Sequence, residues 1–319
     1  MNLLFILDPI ETLKIEKDTS FVMMREAQHR GHEIWAATPK DLKFLNNKVI
    51  VSAEQLKLNE KSKVWYEVIE SKDLSSSSLD GIIMRKDPPF DMEYVYSTYL
   101  LEAMENEGCR VFNRPQSIRD FNEKLAITKY PQFIAPTLVT ADIATIKLFI
   151  QEHKEVVLKP LDGMGGSSVF RSRPDDPNLG VILETLSELG NRTIMIQKFI
   201  PQISAGDKRV LVIDGEPVPY SLARIPQGSD HRGNLAAGGR GEAMVLTDRE
   251  REISNALGQE LSAKGLLLVG LDIIGDYLTE INVTSPTCMR EIQDQTGFDV
   301  PKMFINSIEK HVGEKNKER

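Results

Sequence analysis

The sequence predicts a chain of mixed α/β and α+β class, with an open parallel α/β sheet first and two smaller regions after it. Residues 2–37 alternate strand, helix and strand, which is the pattern of a β-α-β unit. Residues 156–197 follow the order strand, loop, strand, helix and strand, and residues 270–282 form two apolar runs around a Gly-Asp turn. The 319 residues are enough for two or three structural domains.

The first region begins with a buried strand at residues 2–7 and a helix at residues 21–30. Asp18-Thr19-Ser20 offers N-terminal caps for this helix, and Gly31 would end it. The later elements predicted here are strands at 33–37, 81–85 and 110–112, a helix at 94–107 and a helix at 117–130 that carries Lys124. In an open parallel sheet, ligands bind at the carboxyl ends of the strands.

The second and third regions contain shorter elements. Asp142 caps a helix that reaches residue 153. The elements after it are strands at 156–158 and 169–171, a helix at 179–189 and a strand at 194–197. The third region opens with a hairpin over 208–224, turned at Asp214-Gly215, and a long helix at 248–264 leads to the two strands of residues 270–282.

Composition and charge argue against several classes of protein. The formal net charge is −8 and the sequence pI is about 5.4, so no general attraction to nucleic acid or to an anionic membrane is expected. The first residues lack the pattern of a secretory signal, and no apolar run approaches the roughly 20 residues that span a bilayer. Two cysteines do not make a disulfide framework, so a reducing cytoplasm is the expected compartment.

Acidic and amide side chains interrupt the two strands of residues 270–282. Glu280 and Asn282 are two residues apart, so both side chains lie on one face of their strand. Asp272 joins that face if an odd-length loop, such as residues 275–277, closes the hairpin, whereas a two-residue turn would place it on the other face. Three oxygen ligands without His or Cys suit a hard cation such as Mg²⁺, which keeps water and phosphate oxygens. The hairpin therefore predicts a magnesium-nucleotide site.

A glycine-rich loop, Asp162-Gly163-Met164-Gly165-Gly166-Ser167-Ser168, lies between two of the predicted strands. Glycines allow backbone N–H groups to approach a phosphate closely. The loop matches neither the P-loop nor the dinucleotide-binding pattern, so a tight turn is an equally good interpretation of it alone. Lys159 stands at the end of the preceding strand, where it could meet phosphate charge. Lys124, taken alone, is typical of a solvated surface lysine.

A candidate hinge, Gln197-Lys198-Phe199-Ile200-Pro201, follows the last strand of the second region. An adenine could lie against it, although a simple crossover would have the same sequence. Asp207 begins the next strand and could accept hydrogen bonds from ribose hydroxyls. Arg209, two residues later on the same face, could meet the terminal phosphate.

Residues 226–241 form a sixteen-residue stretch with five glycines and no strand or helix pattern. Loops of this length inside compact domains are usually functional lids or disordered segments. Arg224, Arg232 and Arg240 lie in or beside this stretch, which favours a lid that closes over anions.

Ser285 and Thr287 follow the strand that carries Glu280 and Asn282. Their hydroxyls, with free backbone N–H groups, could bind a carboxylate. Cys288 comes next, but no partnering His lies in an identifiable motif. A buried structural thiol is therefore expected there rather than a nucleophile.

Taken together, these motifs resemble the ATP-grasp superfamily. The residues that carry this resemblance, in chain order, are Lys124, Lys159, the loop at 162–168, Asp207, Arg209, Asp272, Glu280 and Asn282. From about residue 8 to about residue 292 the chain is also similar to the bacterial, or prokaryotic-type, glutathione synthetases. The stretches concerned are residues 8–10, 17–21, 84–91, 223–226, 232–241 and 279–288.

The resemblance implies an ATP-grasp fold in three parts. These are an N-terminal α/β domain at residues 1–122, a small lid domain at 123–199, and a C-terminal catalytic domain at 200–319 that sandwiches ATP with the lid. It also implies the joining of γ-glutamylcysteine to glycine through an acyl phosphate, with ATP cleaved to ADP and phosphate. One or two Mg²⁺ ions, or Mn²⁺, are the expected cofactor. A homotetramer is expected because many members of the family form one.

The resemblance further implies roles for individual residues. The metal ligands are expected to be Asp272, Glu280 and Asn282. The catalytic residues are expected to be Arg209, Arg224, Arg232 and Arg240. The residues expected to bind the peptide substrate are Arg85, Arg224, Ser285 and Thr287. The residues expected to bind ATP are Lys124, Lys159, Gly163, Gly165, Gly166, Ser167, Gln197, Lys198, Phe199, Ile200, Asp207 and Arg209.

Two other functions fit parts of the sequence. A different ATP-grasp ligase, such as one that adds glutamate to a protein or joins D-alanines, would share the nucleotide residues. It should lack the segments at 85–91 and 285–288, both of which are present here. A non-catalytic ATP-binding module of the same fold, as in synapsins, is the other alternative, against which the complete metal set and the arginines near 226–241 argue.

Overall fold

The computed structural model describes residues 1–62, 64–228, 233–235 and 238–318. In these ranges the backbone forms three β-sheets, of seven, four and five strands, with helices packed against their faces. The predicted domain boundaries, at residues 122 and 199, fall between the sheets. No helix within the described ranges is both long enough and apolar enough to cross a bilayer.

The first region of the chain builds the seven-stranded sheet. Its elements are β1 (Asn2–Ile6), α1 (Thr19–His29), β2 (Glu33–Ala37), β3 (Leu42–Leu45), β4 (Lys48–Leu58), β5 (Tyr66–Ser75), β6 (Gly81–Met84), α2 (Met92–Asn106), β7 (Arg110–Phe112) and α3 (Pro115–Asp120). Four strands are parallel, as predicted, and they lie in the order β2-β1-β6-β7. β3, β4 and β5 extend the sheet with antiparallel pairing, so the whole sheet is mixed.

The antiparallel extension is not among the predicted elements. In β4, buried and more exposed residues alternate, which is a period-two signal that the sequence contains. β5 exposes seven of its ten residues, and four of those seven are charged. Because β5 buries so little, no hydrophobic pattern marks it as a strand.

The predicted helix at residues 117–130 is wrong. α3 and a separate 3₁₀ turn, Leu125–Lys129, stand in its place. Between them, the Asn122 side chain accepts hydrogen bonds from the N–H groups of Lys124 (3.2 Å) and Leu125 (2.9 Å). Asn side chains compete in this way with helical hydrogen bonding. Lys124 therefore lies at a break in the helical path, and its side chain is buried rather than solvated.

The second region builds the four-stranded sheet. Its elements are β8 (Thr137–Thr140), α4 (Ile143–His153), β9 (Val156–Pro160), β10 (Phe170–Ser172), α5 (Leu179–Leu186) and β11 (Ile194–Lys198). The strands are antiparallel in the order β10-β9-β11-β8. The Asp142 carboxylate accepts two N–H groups at the start of α4, as a cap should. α4 and α5 pack on the sheet around a core of their own that includes Ile146, Leu158 and Leu183.

The third region builds the five-stranded sheet. Its elements are β12 (Asp207–Ile213), β13 (Glu216–Ile225), β14 (Arg240–Val245), α6 (Asp248–Ala263), β15 (Leu268–Ile274), β16 (Tyr277–Asn282), α7 (Met289–Thr296) and α8 (Val300–Glu318). The strands are antiparallel in the order β14-β13-β12-β15-β16. β14 starts inside the stretch at 226–241 that is predicted to lack strands, so that prediction is wrong at its last two residues.

The seven-stranded and five-stranded sheets share one hydrophobic core. α1, α7 and α8 contribute Phe21, Met289 and Phe304 to it, and β1 and β12 contribute Phe5 and Leu211. α6 covers the opposite face of the five-stranded sheet, and α2 covers the opposite face of the seven-stranded sheet. Hydrogen bonds from Asn113 to Val283 O and from Ser285 to Arg85 O join the segment after β16 to the first region of the chain.

Candidate active site

A cleft of about 860 Å³, part of it open to solvent, lies between the four-stranded and five-stranded sheets. β9, β11 and the residues after β11 line one side, and β12, β15 and β16 line the other. Eleven of the twelve residues predicted to bind ATP line it. They are Lys124, Lys159, Gly163, Gly165, Gly166, Ser167, Gln197, Lys198, Phe199, Ile200 and Asp207.

The glycine-rich loop forms part of the cleft wall. Gly165 and Gly166 have φ angles of 60° and 79°, in the left-handed region that favours glycine. A Cβ on Gly163 would lie 2.9 Å from Pro160 Cγ. The Lys124 ammonium donates a hydrogen bond to Gly163 O at 2.5 Å. The loop is therefore a tight turn whose glycines are required by the backbone, and a buried lysine anchors it.

The hairpin of β15 and β16 places two carboxylates face to face. Its turn has two residues, and yet Asp272 pairs with Glu280 across the strands. A bulge explains this arrangement, because β16 has one residue, Thr279, more than β15 in that stretch. The expectation that a two-residue turn would separate Asp272 from Glu280 is wrong, since it assumes an unbroken ladder. Asn282 follows two residues later on the same face.

The bulged residue brings a backbone carbonyl to the cleft. Thr279 O accepts a hydrogen bond from the Lys159 ammonium at 3.3 Å, and the Thr279 hydroxyl donates to Asp272 O at 3.1 Å. The ammonium groups of Lys124 and Lys159 lie 3.5 and 3.9 Å from Glu280 Oε1. Burial lowers the pKa of Lys159, and the charge of Glu280 opposes that shift. Two buried cations thus share one carboxylate at the cleft, where an anion could compete for them.

Two arginines and two aspartates form a buried network beside this wall. Arg209 pairs with Asp272 through Nε and Nη2, at 2.5 and 3.0 Å. Arg224 Nη2 lies 2.8 Å from Asp272 Oδ2 and 2.6 Å from Asp207 Oδ2. Among the described residues, the buried Oδ1 of Asp207 has no hydrogen-bond partner, although Asp207 lines the cleft. Leaving such an atom unpaired costs roughly 1–3 kcal/mol, so Asp207 is suited to accept a bond from a ligand.

Burial and the arginines move the pKa values of the two aspartates in opposite directions. Burial raises the pKa of Asp207 to about 7, against the opposing charge of Arg224. Burial acts in the same sense on Asp272. There, however, the charges of Arg209 and Arg224, with hydrogen bonds from both, outweigh it and hold the pKa below its usual range. One carboxylate therefore stays charged near neutral pH while the other titrates there.

The predicted hinge is fastened to the four-stranded sheet. Gln197 Nε2 donates to Thr137 Oγ1 at 3.0 Å, and the Phe199 N–H donates to Glu155 O at 2.9 Å. The Arg171 guanidinium lies 3.8 Å from the centre of the Phe199 ring, a cation–π contact. The hinge residues line the cleft while their other contacts tie them to β8, β9 and β10.

Two residues predicted to bind the peptide meet at the junction of β6 with the segment after β16. The Ser285 hydroxyl donates to Arg85 O at 3.2 Å. The Arg85 guanidinium is buried and donates through Nε to Ser20 Oγ at 3.0 Å. In the described ranges its Nη1 has no hydrogen-bond partner. Thr287 is exposed, and its hydroxyl lies 3.8 Å from the buried Cys288 thiol, whose pKa burial raises.

The three arginines assigned to the lid have different positions. Arg224 belongs to the buried network described above. Arg240 begins β14, has a largely exposed side chain that pairs with Glu242 at 3.1 Å, and does not line the cleft. Arg232 lies outside the described residues. Gly233 and Asn234 of the same stretch do line the cleft.

The cleft also contains residues that are not among the predicted ones. They are Val157, Val169, Ile203, Gly233, Asn234, Ile274 and Thr279. The alternation of β9, with Val156 and Leu158 buried in the sheet core, places Val157 and Lys159 on one face, so a sequence signal for Val157 existed. Ile203 comes from a 3₁₀ turn, where no periodic pattern points to the cleft.

Comparison with known proteins relates the whole chain to one family. Residues 1–119 match the N-terminal domain of prokaryotic glutathione synthetase, and residues 123–297 match the ATP-grasp domain of the same family. A glutathione synthetase of Nitrosomonas europaea is 53% identical over 99% of this chain and 100% of that protein. A glutathione synthetase of Shewanella oneidensis is 50% identical over 97% of this chain and 98% of that protein.

A solved structure shares the fold at much lower sequence identity. The D-cycloserine synthetase DcsG superposes with a TM-score of 0.70 at 14% identity, over 98% of this chain and 100% of that one. At that identity the likeness concerns the fold alone. The two domain matches and the near full-length relatives decide the family: the chain belongs to the prokaryotic glutathione synthetases, with an ATP-grasp domain.

Proposed function

We propose that this chain joins γ-glutamylcysteine to glycine and cleaves ATP to ADP and phosphate, so that glutathione forms. The observation that carries the proposal is the match of both domains of the family, in order, along nearly the whole chain. The cleft supports it, because eleven of the residues that the resemblance assigns to ATP line this one cavity.

ATP would lie in the cleft with its adenine against the hinge and its phosphates against the glycine-rich loop. Phe199 offers a ring and Val157 an apolar surface on the hinge side. Lys124 and Lys159 would neutralise phosphate oxygens, which compete with the Glu280 carboxylate for the two ammonium groups. The unpartnered Oδ1 of Asp207 would accept a hydrogen bond from a ribose hydroxyl.

The residues assigned to Mg²⁺ fit a hard cation by their donor chemistry. Within the described ranges, no group of three or more His, Cys, Asp and Glu side chains is arranged to hold a metal ion. The proposed set combines two carboxylates, Asp272 and Glu280, with the amide of Asn282, which leaves places for water and phosphate oxygens. When bound, one or two Mg²⁺ ions, or Mn²⁺, would supply positive charge to the transferring phosphoryl group.

The proposed chemistry has two steps. The cysteine carboxylate of γ-glutamylcysteine attacks the γ-phosphorus of ATP, the bond to the ADP oxygen breaks, and an acyl phosphate forms. The glycine amine then attacks the acyl carbon, and phosphate leaves from the tetrahedral intermediate. Phosphoryl transfer needs alignment and positive charge more than covalent help from the protein. Arg209 and Arg224 would supply such charge once anions draw them from Asp272 and Asp207.

The peptide substrate would lie between the first region and the end of β16. The buried, unpartnered Nη1 of Arg85 is suited to a carboxylate of the peptide, and Ser285 and Thr287 lie on the neighbouring segment. Acyl phosphates hydrolyse in water, so the site must be closed during the reaction. We assign that closure to the stretch at 226–241 and assign its Arg232 and Arg240, with Arg224, to the anionic intermediate.

The test is ADP release by the purified chain with Mg²⁺-ATP, γ-glutamylcysteine and glycine, with controls that omit one component at a time. The proposal expects release that needs all three substrates, together with formation of glutathione. Release that ignores the peptide would point to another ATP-grasp substrate. Binding of ATP without any release would point to a non-catalytic module.

We also propose that the chain works as a homotetramer in a reducing cytoplasm. The resemblance supports the assembly, and the two buried free thiols, Cys109 and Cys288, fit a reducing compartment. Light scattering after size-exclusion chromatography would test the assembly, with a mass near four times 35.9 kDa as the expected result.

A further inference from the structure

A three-residue segment, Asn122-Glu123-Lys124, lies between the glycine-rich loop and the end of β16. Two of its side chains contact the loop and the residue that precedes it. Asn122 Nδ2 donates to Leu161 O at 3.1 Å, and Lys124 Nζ donates to Gly163 O at 2.5 Å. The middle residue, Glu123, makes its hydrogen bonds to the opposite sheet.

Glu123 holds the chain on both sides of Asn282. Its backbone carbonyl accepts the N–H of Ile281 at 2.8 Å, immediately before the amide residue. Its Oε1 accepts the N–H groups of Val283 and Thr284, at 2.9 and 3.0 Å, and the Thr284 hydroxyl at 2.8 Å. Glu123 therefore accepts four hydrogen bonds from residues on both sides of Asn282.

Such bonds are stronger than the usual bonds of a loop. A carboxylate that accepts several N–H and O–H groups makes charge-assisted hydrogen bonds, roughly twice as strong as neutral ones. β16 ends at Asn282, so the strand ladder does not fix the residues beyond it. Asn113 Nδ2 holds Val283 O at 2.8 Å, and the Glu123 carboxylate supplies the remaining constraint through the two N–H groups and the hydroxyl. The same residue is joined covalently to Lys124.

We propose that Glu123 is a positioning residue, which holds Asn282 in line with Asp272 and Glu280 and sets this group at a fixed distance from Lys124. The inference rests on the proposed function, since it takes Asn282 to be a ligand of the cation that accompanies ATP. Supporting residues behind metal ligands typically contribute about 10- to 100-fold to metal affinity.

The test is calorimetric titration of ATP into the full chain, once with Mg²⁺ and once with EDTA. In Glu123→Ala, the affinity for ATP with Mg²⁺ should fall about 10-fold or more, while the affinity in EDTA changes by less than about 3-fold. Glu123→Gln keeps an oxygen acceptor in the same place and should retain most of the Mg²⁺-dependent affinity. The proposal would be overturned if the ratio of the affinity with Mg²⁺ to the affinity in EDTA is the same in Glu123→Ala as in the native chain, whether both affinities stay unchanged or both fall equally.

A control and a second variant separate positioning from stability. Gln28→Ala removes two hydrogen bonds to Leu58 in the first region, so it should lower the melting temperature without changing the ratio of affinities. If Glu123→Ala does not fold, Thr284→Val decides, because it removes a single donor to Glu123. It should weaken ATP binding with Mg²⁺ about 3-fold and leave binding in EDTA unchanged. A ratio equal to that of the native chain would then count against the proposal.

The titration is independent of the ligase reaction, because it uses ATP alone. A native chain that forms glutathione, with an Mg²⁺ effect unchanged in both variants, would refute the role of Glu123 and leave the proposed function intact. A native chain that forms no glutathione would refute the proposed function. The Mg²⁺ effect on ATP binding would still show whether Glu123 positions Asn282.

Discussion

Glu280 is the residue whose loss should affect the reaction most. Its carboxylate faces Asp272 across the hairpin and is the shared partner of Lys124 and Lys159. We expect Glu280→Ala to lower turnover by at least about 100-fold, because both the cation site and the charge balance at the lysines are lost. ADP release measures turnover, and circular dichroism should show an intact fold.

Glu102→Ala is a matched control for that variant. Glu102 lies on α2, away from the cleft, and pairs with Arg119 on α3 at 2.5 Å. The loss of the Glu102 side chain should therefore leave turnover near the native value. Full activity in Glu280→Ala would contradict the metal assignment.

Asp207 should make the stability of the chain depend on pH. Burial raises the pKa of this carboxyl from 3.8 to about 7, so the folded chain binds more protons than the unfolded chain between those values. The contribution of Asp207 to stability therefore declines as pH rises from about 4 to about 7. Asp272 keeps its charge across this window, because its pKa is held below the usual range.

The measurement is the melting temperature of the native chain and of Asp207→Asn at several pH values from about 4.5 to about 7.5. The difference should shift in favour of the variant as pH rises, because Asn does not titrate. A difference that stays constant over this range would contradict the raised pKa.

At the scale of single residues, sequence spacing is enough to nominate candidate metal ligands but not the residues that pair with them. The period of a strand puts Glu280 and Asn282 on one face without reference to the rest of the chain. Arg209 and Asp272 are 63 positions apart, and their pairing depends on β12 lying beside β15. No local pattern states which strands are neighbours, so the buried network could not be predicted.

Among the elements of the cleft, the glycine-rich loop allows a sharp test. We expect Gly163→Ala to weaken ATP binding several-fold, because its Cβ would meet Pro160 and push the loop from the position that Lys124 holds. Gly180→Ala in α5 is the matched control. Its Cβ would have no neighbour within 4 Å, and alanine there should stabilise the helix by about 0.5–1 kcal/mol. Equal ATP affinities in the two variants would argue against the role of the loop.

Elements are predicted well where a short run is buried continuously, as in β1, β2 and β7, or where burial repeats with a helical period, as in α6. β1, β2, β7 and α6 lie within about two residues of their predicted bounds, a margin usual for element ends. The predicted helix at residues 117–130 is wrong for a different reason. The composition there favours a helix, but the Asn122 side chain replaces helical hydrogen bonds near Lys124. Lys124, which taken alone is typical of a solvated lysine, is buried as a result.

At the scale of the whole molecule, Asn113 joins the seven-stranded sheet to the five-stranded sheet and its following segment through buried hydrogen bonds. Asn113, just after β7, donates through Nδ2 to Leu268 O (2.7 Å) and Val283 O (2.8 Å) and accepts the Leu268 N–H at 2.9 Å. Asn113→Ala would leave three buried backbone groups without partners, at a cost of about 3 kcal/mol or more. We expect the melting temperature to fall by about 5 °C.

Asn191→Ala is the control for Asn113→Ala in the same thermal unfolding experiment. The Asn191 side chain makes one exposed hydrogen bond, to Glu188 O at 2.9 Å, so its loss should change stability by less than about 0.5 kcal/mol. Similar melting temperatures in the two variants would show that the junction contributes little.

The fold class of the whole molecule can be predicted from the sequence, but the packing of its sheets and helices against one another cannot. The β-α-β pattern of the first residues leads to a parallel sheet by general rules of connection. The core shared through α7 and α8 needs contacts between the two ends of the chain, for which one sequence provides no direct signal. A helical period does connect four buried residues near the end of the chain, Val300, Phe304, Ile308 and Val312. The existence of α8 can therefore be predicted from the sequence, but not where it packs.

The bulge at Thr279 has a consequence for single-codon deletions. Removing Thr279 would convert the hairpin into a regular one with the same two-residue turn. Asp272 would still face Glu280, and Leu278 and Ile281 would still point to the core. Lys159 would lose its backbone acceptor, and Asp272 O would lose the hydroxyl donor of Thr279. We therefore expect the shortened chain to fold but to bind ATP more weakly. This deletion in the middle of a buried strand should be tolerated, whereas most deletions of that kind would prevent folding.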